Sequence, residues 1–471
     1  MILEPAARTS PVSWPVIALG DIAEVKLGKM LDKAKHQTGR KFPYLRNVNV
    51  RWGTVATDDV FEMHFEDDQV DRFSLRAGDV LVCEGGEPGR AAVWNGHVAE
   101  MKFQKAIHRV RFNVPYEARL LVYLLESLAK SGGLERRFTG STIKHFTREA
   151  FIQLPIPFPP LPEQRRIVAE IEKQFTRLEA GVTALRRVQA NLKRYRAAVL
   201  KAACEGRLVP TEAEIAKTGN RKAIFETGEA LLARILTERQ HWFDRQQANA
   251  KTKKKYIEPD KPDTANLSSL PDGWTWGTWN QLSNWVTYGF TRPMPHVETG
   301  IPIVTAKGVN KGRIDFDGAH LTPRESYEKL SEKDRPRPGD LLITKDGTIG
   351  RAAVVDTDRE FCINQSVAVV WLRSCPMERK FLLTVIESEL TQKPIWAKAR
   401  GVAIQHLSIT DFAKMALPIP PLAEQTRIVA EVERRLSVVE EVEAVVSANL
   451  QRASRLRQSI LSKAFTGELC R

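Results

Sequence analysis

Cysteine is scarce in this chain, with five in 471 residues: Cys83, Cys204, Cys362, Cys375 and Cys470. They show no paired spacing, which argues against a disulfide framework or a thiolate metal cage and leaves ordinary reduced thiols. Long apolar runs are missing too. No stretch approaches the roughly 18 uninterrupted apolar residues of a membrane helix, and residues 1–13 lack the basic-then-apolar pattern of an export signal. A cytoplasmic location with no membrane partner is therefore expected. Phosphate-binding loops are absent as well. Glu84-Gly85-Gly86-Glu87-Pro88-Gly89 and Lys345-Asp346-Gly347-Thr348-Ile349-Gly350 are rich in glycine. Each, however, sits between two β-type runs and lacks a Gly-Lys-Ser/Thr ending, so both read as tight turns.

What the chain does have is size, charge and repetition. Its length allows two to four domains with real cores, and 42% hydrophobic with 27% charged residues reads as globular. A formal charge of +14 favours a polyanionic partner, nucleic acid above all. Residues 140–208 align without a gap on 401–469, an offset of 261. Phe158-Pro159-Pro160-Leu161-Pro162-Glu163-Gln164 returns as Ile419-Pro420-Pro421-Leu422-Ala423-Glu424-Gln425, and Arg166-Ile167-Val168-Ala169-Glu170 as Arg427-Ile428-Val429-Ala430-Glu431. The likeness reaches back to Trp14 and Trp274, through Gly78-Asp79-Val80-Leu81 and Gly339-Asp340-Leu341-Leu342. Repeats this long are whole domains, since solenoid units are much shorter.

Each copy has two parts. Residues 14–157 and 273–418 alternate short β-type runs, turn residues and short helical stretches, and each reads as a mixed α+β globule. A proline-rich hinge follows, which no helix interior or central strand would tolerate. Beyond it the period becomes helical. Ile171, Leu178, Leu185, Leu192 and Val199 are spaced by seven, as are Val432, Val439, Val446, Ala453 and Ile460. The segments 158–208 and 419–471 are thus expected to be long helices with coiled-coil seams, each the obvious partner for the other. The single-copy segment 209–272 reads as an insert and linker. It carries one helical stretch (Leu231, Leu232, Ile235, Leu236) and a solvated lysine run, Lys251 to Lys255.

At this point the chain resembles the specificity subunit of type I DNA restriction–modification systems. The carrying residues are the doubled Pro-Pro-Leu-x-Glu-Gln hinges and the Arg-x-Ile-Val-Ala-Glu helix starts, in order, behind two similar globules. The likeness spans residues 14–208 and 274–469. It implies an α+β architecture of two target-recognition domains separated by two long antiparallel coiled-coil helices, a pseudo-twofold internal repeat. It further implies that each globule reads one half of a split, asymmetric site in double-stranded DNA and that the helices set the spacer. Two methyltransferase subunits would dock on the helices, and two motor–nuclease subunits would add translocation and cleavage. S-adenosylmethionine, ATP and Mg would belong to those partners, and this chain would bind no cofactor or metal and catalyse nothing. An adenine methyltransferase would need Asn/Asp-Pro-Pro-aromatic; the Pro-Pro pairs here lack both flanking residues. The rival readings are a self-contained methyltransferase or nuclease with an unrecognised site, and a protein-binding coiled-coil scaffold.

Differences between the copies mark candidate DNA contacts. Arg46, Asn47, Asn49 and Arg51 stand where the second copy has Lys307, Asn310 and Lys311 nearby. Arg and Lys can donate to guanine, and Asn can pair with adenine. Glu84 and Glu87 oppose Lys345 and Thr348, and Gln104-Lys105 opposes Asn364-Gln365. Lys144-His145 matches Gln405-His406, histidines for which a structural role and a DNA contact both stay open. Lys29, Lys33, Lys35, Arg40, Lys41, Lys144, Arg292, Lys311, Arg313, Lys398 and Arg400 are the candidate phosphate contacts, which position without specifying.

Overall fold

The computed structural model describes residues 14–30, 39–218, 225–248, 255–310, 312–401 and 405–470. Lys33, Lys35, Lys251, Lys253, Lys254 and Lys311 of the sequence reading lie outside them. The chain divides into two compact units, Met1–Arg187 with Val446–Arg471, and Val188–Val445. Each unit therefore holds one globule and a half of each long helix.

In the first unit, β2 (Ala23–Leu27), β10 (Ile107–Phe112), β7 (Val80–Cys83) and β8 (Ala91–Val93) form a four-stranded antiparallel sheet in that order. A three-stranded sheet lies beside it, with β3 (Arg40–Leu45) between antiparallel β6 (Phe61–Phe65) and parallel β9 (Lys102–Phe103). A short ribbon joins β4 (Val50–Arg51) to β5 (Thr54–Val55). β1 (Val16–Ala18) pairs with β11 (Pro155–Pro157), clipping the entry of the globule to its proline-rich exit. Proline is tolerated in such a pair because neither strand needs a donor on its outer side. β7 (Val-Leu-Val-Cys) is buried on both faces: Val80 and Val82 face the core of helix Ala118–Lys130, whereas Leu81 and Cys83 join the aromatic core of Phe42, Phe65 and Phe103.

The second unit repeats this plan strand for strand. β13 (Trp285–Tyr288), β21 (Val367–Trp371), β18 (Leu341–Thr344) and β19 (Ala352–Val354) make the four-stranded sheet. β17 (His320–Thr322), β14 (Ile301–Val304) and β20 (Cys362–Ile363) make the three-stranded one. β15 (Val309–Asn310) pairs with β16 (Arg313–Ile314), and β12 (Thr275–Thr278) with β22 (Ala416–Ile419).

The two long helices run Leu161–Cys204 and Leu422–Phe465, 44 residues each, or about 66 Å at 1.5 Å per residue. The hinge motif has a physical reason. Gln164 is buried; its side chain donates to the Pro159 carbonyl at 2.8 Å and accepts from the Glu117 amide at 2.8 Å. Gln425 does the same with Pro420 (2.8 Å) and Glu378 (2.9 Å). One glutamine thus fastens each helix start to its globule.

Inside each unit the helix halves pack antiparallel. In the first, Ile167, Val168, Ile171 and Phe175 share a core with Ile460, Leu461 and Ala464. Arg457 lies 3.8 Å over Phe175 and bonds Glu179 at 3.2 Å, while Cys470 sits beside Arg166. In the second, Arg196 meets Glu440 at 3.2 Å, and Glu212 just beyond the first helix meets Arg427. Of the expected seam positions, Ile171, Val199, Val432, Val439, Val446 and Ile460 are buried, whereas Leu178, Leu185, Leu192 and Ala453 are half-buried.

The insert is more than a tether. Its helix Gly228–Ala248 seats Leu231 and Ile235 in the core of the second unit, and Trp242 meets Trp371 edge-on at 6.5 Å. Any side chain at Gly228 would place its Cβ 1.9 Å from the Ile419 carbonyl, so the helix approaches β22 only because that residue is glycine. The apolar face Leu231–Leu232–Ile235 needed burial, and the second globule supplies it.

Candidate nucleic-acid interface

Four segments that are distant in sequence converge in each unit. In the first unit they are the 3₁₀ turn Asn47–Asn49, the hairpin turn between β7 and β8, residues 104–106 after β9, and the loop 139–146. Gly86 (φ 82°) and Gly89 (φ 89°) let the hairpin turn adopt left-handed backbone, as Gly347 (φ 83°) and Gly350 (φ 79°) do in the second unit. Asn47 donates to the Gly85 carbonyl at 3.3 Å, and Arg90 donates to the Asn47 carbonyl at 2.8 Å, tying the 3₁₀ turn to the hairpin. The Glu84 amide donates to Ala106 (2.9 Å), and the Glu84 carbonyl accepts from Phe146 (2.8 Å), adding the other two segments.

The second unit keeps the backbone junctions and ties its 3₁₀ turn through a different side chain. Ser366 accepts the Ala306 amide at 3.0 Å, and its carbonyl accepts the Lys345 amide at 2.8 Å. The Leu407 amide donates to Lys345 (2.8 Å) and the Gly347 amide to Gln405 (2.9 Å).

These bonds sort the candidate residues. Asn49 is only 3% exposed, and its amide is fully used: it accepts from Arg46 N (2.9 Å) and donates to Ala56 (3.1 Å) and Asp59 (2.9 Å). It builds the loop. Arg46 is held by Asp59 at 2.6 Å and lies 3.7 Å over Phe61. Glu87 faces Arg90 (2.9 Å) and Trp52 (2.7 Å). Lys345 is engaged by Asp346 at 2.8 and 3.0 Å, and Asn364 by Ser366 at 2.6 Å. Gln405 donates to Gly401 at 2.8 Å. Glu84 and Gln104 are half-buried at the centre of the cluster. Arg51, Lys105, Lys144, His145, Lys307, Asn310, Thr348, Gln365 and His406 are exposed on its surface.

The two histidines part company. His406 Nδ1 lies 2.8 Å from Asp346 Oδ1, a carboxylate contact that the sequence around the histidine did not announce. The matching residue in the first unit is Gly85, over which the His145 ring lies, 3.4 Å from where a Cβ would stand. Lys29, expected among the phosphate contacts, is buried. Its ammonium donates to the His64 carbonyl (2.7 Å) and Gln69 (2.6 Å), and burial holds it below the ordinary lysine range. Its place inside the sheet-to-sheet junction removes it from any DNA surface. Arg40, Lys41, Arg292, Arg313, Lys398 and Arg400 are exposed.

Two surface residues went unnoticed in the sequence: Val48, 57% exposed on the 3₁₀ turn, and Ile143, 67% exposed in the 139–146 loop. Apolar side chains held outward on polar loops were the available signal. Such groups can meet a thymine methyl. Among the described residues, no group of three or more His, Cys, Asp or Glu is placed to hold a metal ion, and no helix is long and apolar enough to cross a membrane.

Comparison with known proteins places this geometry in context. The profile described as "Type I restriction modification DNA specificity domain" matches residues 11–185 and 296–437. The EcoBI specificity subunit of Escherichia coli is 24% identical over 469 residues, covering 97% of this chain and 86% of that protein. The EcoDI specificity subunit of Escherichia coli is 22% identical over 473 residues, covering 98% and 90%. Among solved structures, a chain of a type I R-M system shares the fold with a TM-score of 0.64, at 20% identity over 97% of this chain and 99% of that one. The HsdS subunit from Thermoanaerobacter tengcongensis gives 0.50, at 20% identity over 97% and 98%.

Proposed function

The chain belongs to the type I restriction–modification DNA specificity family, and from that premise we propose that each four-segment loop cluster reads one half of a bipartite, asymmetric DNA site. Its role is DNA sequence recognition without catalysis, the chemistry of such systems residing in other subunits. One observation supports the two-half reading above the rest. The units share a fold strand for strand, yet their clusters present different groups: Arg51, Val48 and Lys105 in one, Lys307, Thr348, Gln365 and the Asp346–His406 pair in the other. Groups that differ in donors, acceptors and methyl contacts select different bases.

In this reading residues 14–157 and 273–418 are the recognition domains, with 158–208 and 419–471 as the helices that set the gap between half-sites. The segment 209–272 is a central insert. Methyltransferase subunits dock on the helical regions, and motor–nuclease subunits join where the system also cleaves. S-adenosylmethionine, ATP and Mg act in those partners, in the cytoplasm. Mapping N6-methylated adenines in DNA from cells that express the complete system tests this. The expected result is one motif made of two unlike half-sequences at a fixed gap. A continuous motif, or none, would overturn it.

A further inference from the structure

A cavity in the first unit is filled by a side chain at the matching place in the second. In the second unit Arg379, the first residue of helix Arg379–Glu387, turns its guanidinium into a ring of four backbone carbonyls. It donates to Gly339 (2.8 Å), Leu372 (2.8 Å), Cys375 (2.9 Å) and Met377 (2.7 Å). The equivalent residue in the first unit is Ala118. The matching carbonyls belong to Gly78, Phe112, Val114 and Tyr116, and all four residues line an open cavity of about 520 Å³. That volume falls within the roughly 300–1,000 Å³ of small-ligand sites.

The two frameworks agree bond for bond. Gly78 donates to Trp94 at 2.8 Å as Gly339 does to Val355 at 2.8 Å, and both glycines have positive φ (92° and 87°). The Arg76 amide donates to Asp79 (2.7 Å) as Arg337 does to Asp340 (2.9 Å). Glutamine from the hinge fixes Glu117 and Glu378 alike. Among the described residues the carbonyls of Gly78, Val114 and Tyr116 have no protein donor. Convergent acceptors that lack a donor are a cation site, and a planar, five-donor fork is the group their counterparts hold. Neighbouring cations do not forbid it. Arg111 is neutralised by Asp79 through two 2.7 Å bonds and Arg119 by Glu117 (3.0 Å) and Glu172 (2.7 Å). Arg76, the third cation of the lining, matches Arg337, which acts on Asp340 together with Arg379 in the second unit.

We propose that this cavity binds an alkylguanidinium group, as an arginine side chain presents it. The site is separate from the DNA-reading loops and does not depend on their assignment. Calorimetric titration of the full chain with ethylguanidinium tests it, with butylammonium as the control. Saturable binding that prefers the guanidinium is expected, and Ala118→Arg, which supplies the missing side chain in cis, should weaken it at least tenfold. Arg379→Ala opens the second ring and should add a second equivalent site. An acetylated, amidated Gly-Arg-Gly peptide distinguishes the sources. Tighter binding than free arginine amide points to a polypeptide ligand, and equal binding to a small molecule. No saturable binding by the wild-type chain, or undiminished binding by Ala118→Arg, would overturn the proposal.

Discussion

Residues two positions apart carry opposite duties here. Asn49 and Arg51 look alike in sequence as base-reading candidates, yet one is sealed inside the turn and the other is exposed on β4. Asn49→Ala strands the Arg46 amide and two carbonyls, so it should cost about 2 kcal/mol, read as a lower urea midpoint with unchanged slope. Arg51→Ala should leave stability within about 0.5 kcal/mol and act on DNA alone. If Arg51 meets a base, discrimination at one position of the first half-site relaxes. If it meets a phosphate, affinity falls evenly and the log–log salt slope drops by about 1. A loss of stability in Arg51→Ala, or normal stability in Asn49→Ala, would reverse the assignment. The distinction was illegible from sequence because Asn, Arg and Lys serve equally well as loop builders and as readers. Only the positions of Ala56, Asp59 and Phe61 decide which role each plays.

At the level of elements, the helix seams were readable because a seven-residue repeat of apolar side chains has one packing solution, and the glutamine hinges because they recur. The ion clamps that join helix to globule were not, since their members come from three separate segments. In the first unit Arg457 bonds Glu126 (2.9 Å) and Glu179 (3.2 Å). The matched set in the second unit is Arg196, Glu387 and Glu440, in which Arg196 bonds Glu440 but leaves Glu387 only nearby. Burial pushes both Glu126 and Glu387 upward. At Glu126 the hydrogen bonds from Arg457 and Lys130 outweigh it and hold the carboxyl below the ordinary range, whereas at Glu387 burial prevails and the carboxyl is raised. The signs therefore oppose. A depressed folded pKa contributes stability above the unfolded value near 4.5 and loses it as pH falls through the folded value. A raised one contributes below the unfolded value and loses it as pH rises through the folded value. Glu126→Gln should lower Tm at pH 7 and flatten its acid limb, and Glu387→Gln should leave Tm at pH 7 unchanged or raise it. Equal losses in both variants would show that the clamps are alike. Arg457→Ala, which leaves Glu126 buried without its main partner, should cost about 3 kcal/mol.

For the molecule as a whole, duplication was plain in the sequence, but the meeting of loops 47–49, 84–90, 104–106 and 139–146 was not. Contacts between residues 22 to 62 positions apart leave no local periodicity; they follow from β3 and β9 ending side by side in one sheet and from the β7–β8 turn of the neighbouring sheet meeting them. Because the same strands end side by side in the second unit, the reading surfaces should be interchangeable as blocks. Residues 274–421 can be replaced by 14–160, which begins at the matching tryptophan and ends at the matching proline of the hinge. Gln425 would then meet Glu117 in place of Glu378, and the helix start keeps both of its fastening bonds. The insert helix would lose its seat on β12 and β22, so a modest drop in Tm is expected from Leu231 and Ile235. Both clusters would now carry Val48, Arg51, Lys105 and His145. Assembled with the rest of the system, the chimera should methylate a site in which the first half-sequence appears twice, the original second half having vanished. Sequencing for N6-methyladenine reads this directly. Retention of the original second half-site would mean that its recognition lies outside residues 274–421, and loss of methylation with normal folding would mean that the two blocks are not equivalent.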